Sequence, residues 1–355
     1  MKRIIFVILL IVMVLTMVSC GESSDNDSKN AEYKIAMIVD ATDMQNGSFS
    51  QETWDYIKAF SNSNSVSAKR YKSDESSKEA YSKTIDKAIA NKAEIIIMTG
   101  SKFETALFST QSKYPDVKFL LIDGIPHDEG QTYGTAPNTI GVLFAEEEAG
   151  YLAGSAAVKD GFTNIAFLGG NEEPGVKRYG YGFVQGAASA ASELEQKVEL
   201  RYGYAGTSEQ SEDVRQKAAE WYEDGTEIIF TCGGAVTQSV MDATVGTNGK
   251  VIGADVDQSK MSGSVVTSAV KNIEPVITDM LKNYVNENFV GGTAFNYTAK
   301  NDGIGLQMDG AKFKKFNKED YEKVYNQLKN NKIQLKKDTS VDSVKELTGE
   351  WITLK

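Results

Sequence analysis

Residues 227–234 read Glu-Ile-Ile-Phe-Thr-Cys-Gly-Gly, a short run of β-branched and aromatic residues that stops at a pair of glycines. Such a run predicts a strand buried on both faces, over residues 227–231, because a half-exposed strand would alternate apolar with polar residues. Five other runs have the same form, at residues 34–39, 94–98, 118–122, 164–168 and 250–254. Helical patterns lie between them, so the sequence predicts an α/β fold with parallel sheets flanked by helices.

Every one of these predicted strands runs into aspartate or glycine, namely Asp40, Gly100, Asp123, Gly169, Gly233 with Gly234, and Asp255. In open α/β sheets ligands bind beyond the carboxyl ends of the strands, where glycine admits close backbone contact and aspartate accepts hydrogen bonds. Three of these ends precede residue 150 and three follow it, which predicts two similar lobes facing each other across a cleft. For any single position, the ordinary preference of turns for Asp and Gly is an equally good explanation.

The predicted domain boundaries follow from this pattern, since more than 300 residues exceed what one hydrophobic core usually serves. The N-terminal lobe covers residues 33–144, with part of about 265–300 crossing back to it through a hinge. The C-terminal lobe covers residues 145–264, and residues 301–355 form a C-terminal segment that packs on the lobes.

The N-terminus has the pattern of a bacterial lipoprotein signal over residues 1–19. Lys2 and Arg3 precede an apolar run, residues 4–15, that is too short for a permanent membrane span. The run leads to Ser19 and Cys20, so Cys20 is predicted to be acylated and to become the mature N-terminus. Residues 20–32 would be a polar tether, and the protein would lie at the extracytoplasmic face of the cell membrane. An ordinary cleaved signal followed by an accidental cysteine is the alternative.

Composition argues against several function classes. A formal charge of −11 disfavours nucleic acid as a partner. His127 is the only histidine, and it is predicted to be exposed in a loop without an obvious partner, so no catalytic triad is expected. Cys232 is expected to be a buried strand thiol without a disulfide. No enzymatic activity, cofactor or metal site is predicted, and the absence of a strongly apolar exposed helix favours a monomer.

Two further motifs invite a functional interpretation that the sequence does not support. The acidic run of residues 146–148 could suggest a metal site, but acids favour the first turn of a helix, and a solvated first turn is predicted there. Gly180 and Gly182 could suggest a phosphate loop, but neither a Gly-Lys-Ser/Thr ending nor a full dinucleotide fingerprint accompanies them.

The strand ends carry groups that suit a neutral, flat ligand rich in hydroxyls. Such a ligand needs carboxylates for a diol, an aromatic ring for stacking, and amides or carboxylates to read its edge. The chain offers these as the carboxylates Asp40, Asp123 and Asp255, the ring of Phe49, and the amides of Asn46 and Asn171. Lys271 could donate to a hydroxyl or balance the carboxylates, and Gly234 would admit the ligand to the backbone. Phe49 could instead be a hydrophobic staple for the helix that follows it.

Several ordered motifs resemble the Bmp family of bacterial lipoproteins, also called PnrA-like or TmpC-like. The resemblance runs from about Tyr33 to about Gly310. The motifs are Val39-Asp40, Ser48 to Gln51 with Trp54, Glu147 to Gly154, Pro174 to Val176 with Tyr181 to Phe183, Gly253 to Gln258, and Thr267 to Asn272.

The resemblance implies a type I periplasmic-binding fold and a protein that captures nucleosides, of purine type, for an ABC-type permease. It also implies that Phe49 stacks on the base, that Asp123 and the Asn46 position lie near the base, and that Asp255 and Lys271 hold the ribose. Asp40 aligns with a further aspartate of the cleft.

Two departures from the family pattern leave details open. The chain reads Gln45-Asn46-Gly47 where the family usually has an Asp/Asn-rich pair before Ser-Phe, and this leaves base preference open because an amide can donate where a carboxylate cannot. Ser208 stands where a second aromatic residue is often found, so whether Tyr204 stacks on the ligand is not predicted. A free sugar or a signalling molecule remains an alternative ligand, and a surface adhesin or antigen an alternative function.

Overall fold

The structure is a computed structural model that describes residues 34–42 and 47–355. The predicted signal, Cys20, the tether and Asn46 lie outside the described residues. The described residues form one compact unit. Within the described part of the chain, no helix has both the length and the apolar character needed to cross a membrane.

The described residues form an alternating series of strands and helices, as predicted. The strands are β1 (Ile35–Val39), β2 (Ala68–Lys72), β3 (Ile95–Thr99), β4 (Lys118–Ile122), β5 (Thr139–Phe144), β6 (Asn164–Gly169), β7 (Val198–Tyr204), β8 (Ile228–Cys232), β9 (Lys250–Asp255), β10 (Val265–Lys271), β11 (Thr293–Tyr297), β12 (Ile304–Leu306) and β13 (Ile352–Leu354). The helices are α1 (Phe49–Asn64), α2 (Lys78–Ala90), α3 (Glu104–Gln111), α4 (Glu146–Asp160), α5 (Pro174–Glu193), α6 (Glu212–Glu223), α7 (Val236–Ala243), α8 (Ile273–Val285) and α9 (Lys318–Lys329).

Two sheets organise these elements into two lobes. The first has the strand order β11-β5-β4-β3-β1-β2, and its pairings are all parallel. The second has the order β12-β10-β9-β8-β6-β7-β13, in which only the pairing of β10 with β12 is antiparallel. Central strands such as β1, β3 and β8 are buried along their whole length, which accounts for their unbroken apolar sequences. The predicted α/β class with parallel sheets is confirmed.

The chain passes between the two sheets three times. It leaves the first sheet after β5, returns to it through α8 and β11, and then goes back to the second sheet at β12. Within the predicted hinge segment, β10 therefore pairs in the second sheet, and α8 with β11 makes the return to the first. The C-terminal residues supply both edge strands of the second sheet, β12 and β13.

Helices α4 and α5 pack so closely that glycine is required on both. A Cβ atom on Gly150 or Gly154 of α4 would lie 2.1 or 2.0 Å from the carbonyl oxygen of Tyr179 or Phe183 on α5. A Cβ atom on Gly182 or Gly186 of α5 would lie 2.0 Å from a carbonyl oxygen of α4. Each helix thus presents two glycines four residues apart to the backbone of the other, and real Cβ atoms do not approach backbone that closely.

The prediction that the acidic run at the start of α4 is solvated is wrong. Glu146 and Glu147 are only 1% and 2% exposed. The close approach of α5 covers the first turn of α4, and basic side chains compensate for the buried charge: Arg178 and Lys271 pair with Glu146, and Lys337 pairs with Glu147.

Five of the residues at the strand ends adopt a left-handed backbone, which explains why they are Asp or Gly. The φ angle is +98° at Gly100, +66° at Asp123, +95° at Gly233, +96° at Gly234 and +68° at Asp255. Glycine has no Cβ penalty in this region, and aspartate is among the few other residues enriched there. At these four strand ends, the turn that directs the chain toward the cleft therefore also selects Asp or Gly.

Candidate functional site

A cavity of about 970 Å³ lies between the carboxyl ends of the strands of the two lobes. Its volume is at the upper end of the range of about 300–1,000 Å³ that small-molecule pockets usually have. We call it the cleft. The predicted site residues that the structure describes all line it: Asp40, Phe49, Asp123, Gly234, Asp255 and Lys271. The loop residue Asn171 lines it too.

The centre of the cleft is the ammonium group of Lys271, at the end of β10. Its Nζ atom lies 2.7 Å from Oδ2 of Asp123 and 3.1 Å from Oδ1 of Asp255. Asp123 follows β4 of the first sheet, whereas Lys271 and Asp255 belong to the second, so this ion pair links the two lobes. Burial alone would lower the pKa of Lys271, but the adjacent carboxylates outweigh it and hold that pKa well above its usual range.

The carboxylates of Asp123 and Asp255 can still accept hydrogen bonds beyond these contacts. Each side chain is about a quarter exposed, 26% and 27% respectively, whereas that of Lys271 is 2% exposed. Tyr179 donates a further hydrogen bond to Oδ1 of Asp255, at 3.1 Å. Among the described residues, none donates to Oδ1 of Asp123 or Oδ2 of Asp255, so these two oxygens can accept hydrogen bonds from a ligand.

Glu146 and Arg178 are charged residues of the cleft that were not predicted from the sequence. Oε1 of Glu146 lies 3.2 Å from Nζ of Lys271, and Oε2 accepts a hydrogen bond from Nη1 of Arg178, at 2.9 Å. Burial raises the pKa of Glu146 to about 7 in spite of the opposing effect of both cations. The signal that could have revealed the site is the glycine spacing on α4 and α5, which buries the start of α4.

Asp40 lies at the side of the cleft that belongs to the first lobe and is tightly held. Its carboxylate accepts hydrogen bonds from the hydroxyls of Thr42, at 2.6 Å, and Tyr81, at 2.5 Å. Lys102 lies 3.2 Å from the same carboxylate. Burial alone would raise the pKa of Asp40, but the hydroxyl hydrogen bonds lower it well below its usual range. Asp40 therefore stays ionised, and most of its hydrogen-bonding capacity is already used within the protein.

Phe49 supplies an aromatic ring at the first residue of α1, whose N-cap is Ser48. The ring meets Phe144 edge to face, with centroids 6.3 Å apart, and Nζ of Lys271 lies 5.4 Å from the Phe49 centroid. Phe49 is half-buried and lines the cleft, so part of its surface is accessible to a ligand. Its position agrees with a stacking role.

Tyr204, whose stacking role was left open, is not among the residues that line the cleft. Its hydroxyl instead pairs with that of Tyr202, at 2.8 Å, and its ring packs edge to face against Phe167. Ser208 lines the cleft. The other accessible aromatic ring at the cleft is that of Tyr133, which is 56% exposed and lies on a loop of the first lobe.

The prediction that His127 is exposed and without a partner is wrong. Its side chain is 12% exposed, and Nε2 lies 3.2 Å from Oε2 of Glu104 at the start of α3. The loop that carries it folds back on itself, so that the backbones of His127 and Tyr133 form an antiparallel β-bridge. The centroids of their two rings lie 5.0 Å apart. The pair supports the loop bearing Tyr133. Within residues 34–42 and 47–355, no group of three or more His, Cys, Asp or Glu side chains is arranged to hold a metal ion.

Comparison of the sequence with known proteins points to a family of substrate-binding proteins, which agrees with the presence of a cleft. Residues 33–341 match the family model of Bmp, described as ABC transporter substrate-binding protein PnrA-like. The chain is 26% identical over 311 residues to the ABC transporter nucleoside-binding protein BmpA of Lactococcus lactis, a match covering 81% of this chain and 85% of that protein. It is 28% identical over 325 residues to Basic membrane protein D of Borreliella burgdorferi, covering 88% and 87%.

Solved structures support the fold. An ABC transporter solute-binding protein from Aeropyrum pernix superimposes with a TM-score of 0.69 at 17% identity, covering 89% of this chain and 90% of that one. This likeness confirms the type I periplasmic-binding fold that the family resemblance implied. The family model covers most of the chain, and the two lobes place their strand ends around one cleft. The protein therefore belongs to the Bmp family of PnrA-like ABC transporter substrate-binding proteins.

Proposed function

We propose that this substrate-binding protein captures nucleosides, of purine type, and delivers them to its permease while anchored to the membrane through lipid on Cys20. The observation that carries the proposal is the pair of partly exposed aspartates, Asp123 and Asp255, beside the accessible ring of Phe49. Carboxylate oxygens accept hydrogen bonds from sugar hydroxyls and from base N–H groups, and an aromatic face stacks on a base. The name of the Lactococcus relative agrees with this ligand class.

The charges of the cleft favour a nucleoside over a nucleotide. Lys102, Lys271 and Arg178 line the cleft, and each already lies beside one or more carboxylates of the protein. A phosphate group would have to compete with those carboxylates for the cations. An uncharged ligand that donates to the carboxylates avoids this cost.

The test is calorimetric titration of the full chain, purified in detergent and freed of carried-over ligand by unfolding and refolding. The ligands are guanosine, inosine, adenosine, cytidine, uridine and free ribose, with guanosine 5′-monophosphate as the charged control. Micromolar or tighter binding confined to nucleosides, with the purines tightest, is expected. Binding of ribose alone would replace the nucleoside proposal with a sugar ligand, and no binding at all would favour the surface-adhesin alternative.

Replacing Phe49 with alanine is expected to weaken nucleoside binding by about 10- to 100-fold, because base–aromatic stacking contributes about 1–3 kcal/mol per base. Ribose affinity should not change by a comparable factor. Calorimetric titration measures both, and Phe49→Tyr, which retains a ring, is the matched control. Equal losses for ribose and nucleoside would show that the ring does not stack on a base.

Replacing Cys20 with serine is expected to prevent lipid attachment, because acylation requires the thiol. The variant should accumulate as unprocessed precursor or as protein released from the membrane, and it should still bind nucleoside. Fractionation of cells followed by mass spectrometry of the N-terminus measures this. A variant that remains membrane-attached at mature size would contradict the anchor.

A further inference from the structure

The C-terminal residues 335–341, which we call the strap, reach back to the cleft. The side chains of Asp338 and Thr339 line the cavity, although they lie far along the chain from the strand ends that form the rest of it. Nε of Arg178 donates to Oδ1 of Asp338 at 3.3 Å. We propose that Asp338 is a positioning residue for ligand binding, which acts through Arg178 and Glu146 on Lys271.

The proposal rests on an unbroken line of alternating charges. Asp338 contacts Arg178, Arg178 contacts Oε2 of Glu146, and Oε1 of Glu146 contacts Lys271, which lies between Asp123 and Asp255. The side chains of Asp338 and Arg178 are 13% and 20% exposed, and those of Glu146 and Lys271 are each 2% exposed. Since water screens buried pairs little, each member constrains the position of the next.

The strap is held by contacts of its own, separate from any ligand. The side-chain amide of Gln185 on α5 pairs with both the N–H and the carbonyl of Lys336, at 2.9 Å each. Lys337 contacts Glu147 on α4. A turn over residues 337–340 is closed by the N–H of Ser340, which donates to the carbonyl of Lys337 at 3.0 Å. This turn carries Asp338 and Thr339 at its tip, so their backbone is fixed before a ligand arrives.

Arg178 needs two carboxylates to keep its orientation. Its guanidinium is planar and donates from several edges, and here Nη1 is used by Glu146 and Nε by Asp338. Without Asp338 the guanidinium keeps one anchor and can pivot about it. Glu146 then loses its fixed partner and is less able to direct Lys271 toward Asp123 and Asp255, whose free oxygens would meet the ligand.

The test is the binding affinity of Asp338→Asn in the full chain in detergent, with the purine nucleoside that the wild type binds most tightly. The choice of ligand rests on the proposed function. Residues in one charge network are commonly coupled, so the dissociation constant is expected to rise by about tenfold. Asp338→Glu, which retains the charge, should restore most of the affinity. Asp342→Asn, at an exposed residue just beyond the strap, is the matched control and should bind like the wild type.

A double-mutant cycle separates positioning from direct contact. If Asp338 acts through Arg178, then Asp338→Asn should weaken binding no further in an Arg178→Met background. If Asp338 contacted the ligand itself, the two losses would multiply. Losses that multiply, or an Asp338→Asn variant that binds with wild-type affinity, would overturn the proposal.

A second readout does not depend on any ligand. The pKa of Glu146 can be followed by carbon-13 NMR of labelled glutamate, with its signal assigned by Glu146→Gln. The charges facing this carboxyl are those of Lys271, Arg178 and Asp123. Removing a nearby negative charge would by itself lower the pKa, whereas displacement of Arg178 would raise it, so Asp338→Asn is expected to raise the midpoint. A lowered or unchanged midpoint would overturn the positioning role, even if the wild type bound no nucleoside and the proposed function had failed.

Discussion

Replacing Lys271 with methionine is expected to abolish detectable nucleoside binding and to reduce the free energy of unfolding by about 3–5 kcal/mol. The substitution nearly keeps the length of the side chain but removes the positive charge that lies between Asp123, Asp255 and Glu146. Three carboxylates would then face one another in a largely buried place. Titration calorimetry and urea unfolding monitored by circular dichroism measure the two effects.

Lys102→Met is the matched control for this experiment. Lys102 also pairs with a cleft carboxylate, that of Asp40, but its side chain is 40% exposed and Asp40 keeps its hydroxyl donors. We expect a change in stability below about 1 kcal/mol, because the ammonium group of Lys102 is solvated and the hydroxyl hydrogen bonds still hold Asp40. If Lys271→Met were as mild as Lys102→Met, the central role of Lys271 in the cleft would be refuted.

Replacing Gly182 with valine is expected to destabilise the protein by about 3 kcal/mol or more, which is at or beyond the usual range for overpacking. The new Cβ atom would lie 2.0 Å from the carbonyl oxygen of Glu147, which is backbone and cannot rotate away. Helix α4 would have to move from α5, and the buried pairs of Glu146 would be strained. Urea unfolding gives the change in stability.

Gly175→Ala is the corresponding control, on the same helix. A Cβ atom there would meet only the carboxylate of Glu146, at 3.6 Å, which is an ordinary contact distance. Alanine is also a better helix former than glycine, so stability should be unchanged or slightly higher. If Gly182→Val unfolded at the same urea concentration as Gly175→Ala, the close packing of α4 on α5 would not be essential.

The strands and the residues at their ends could be predicted from the sequence because both depend on local chemistry. A strand buried on both faces must be apolar throughout, and a left-handed residue after it must be glycine or one of a few tolerant types. The predicted strand over residues 118–122 coincides with β4, and Asp123 follows it into the cleft. The same reasoning led to Asp255.

The charged residues in the rest of the network have no signature of their own. Glu146 looks like an ordinary acid at a helix start, and only the packing of α5 on α4 buries it. Asp338 stands in a Lys-rich segment, 160 residues from its partner Arg178. Contacts of this kind are set by the topology of the whole chain, and no window of sequence contains both partners.

Because the chain passes between the sheets three times, both sheets receive their last strands late in synthesis. Strand β5 has an unpaired edge until β11, at residues 293–297, has been made. The outer edge of β10 stays unpaired until β12, which ends at residue 306, has been made. The outer edge of β7 stays unpaired until β13, which ends at residue 354, has been made. Exposed strand edges template pairing with other chains. Fragments that stop before residue 293 would therefore be prone to aggregate, although they contain most of the residues of both lobes.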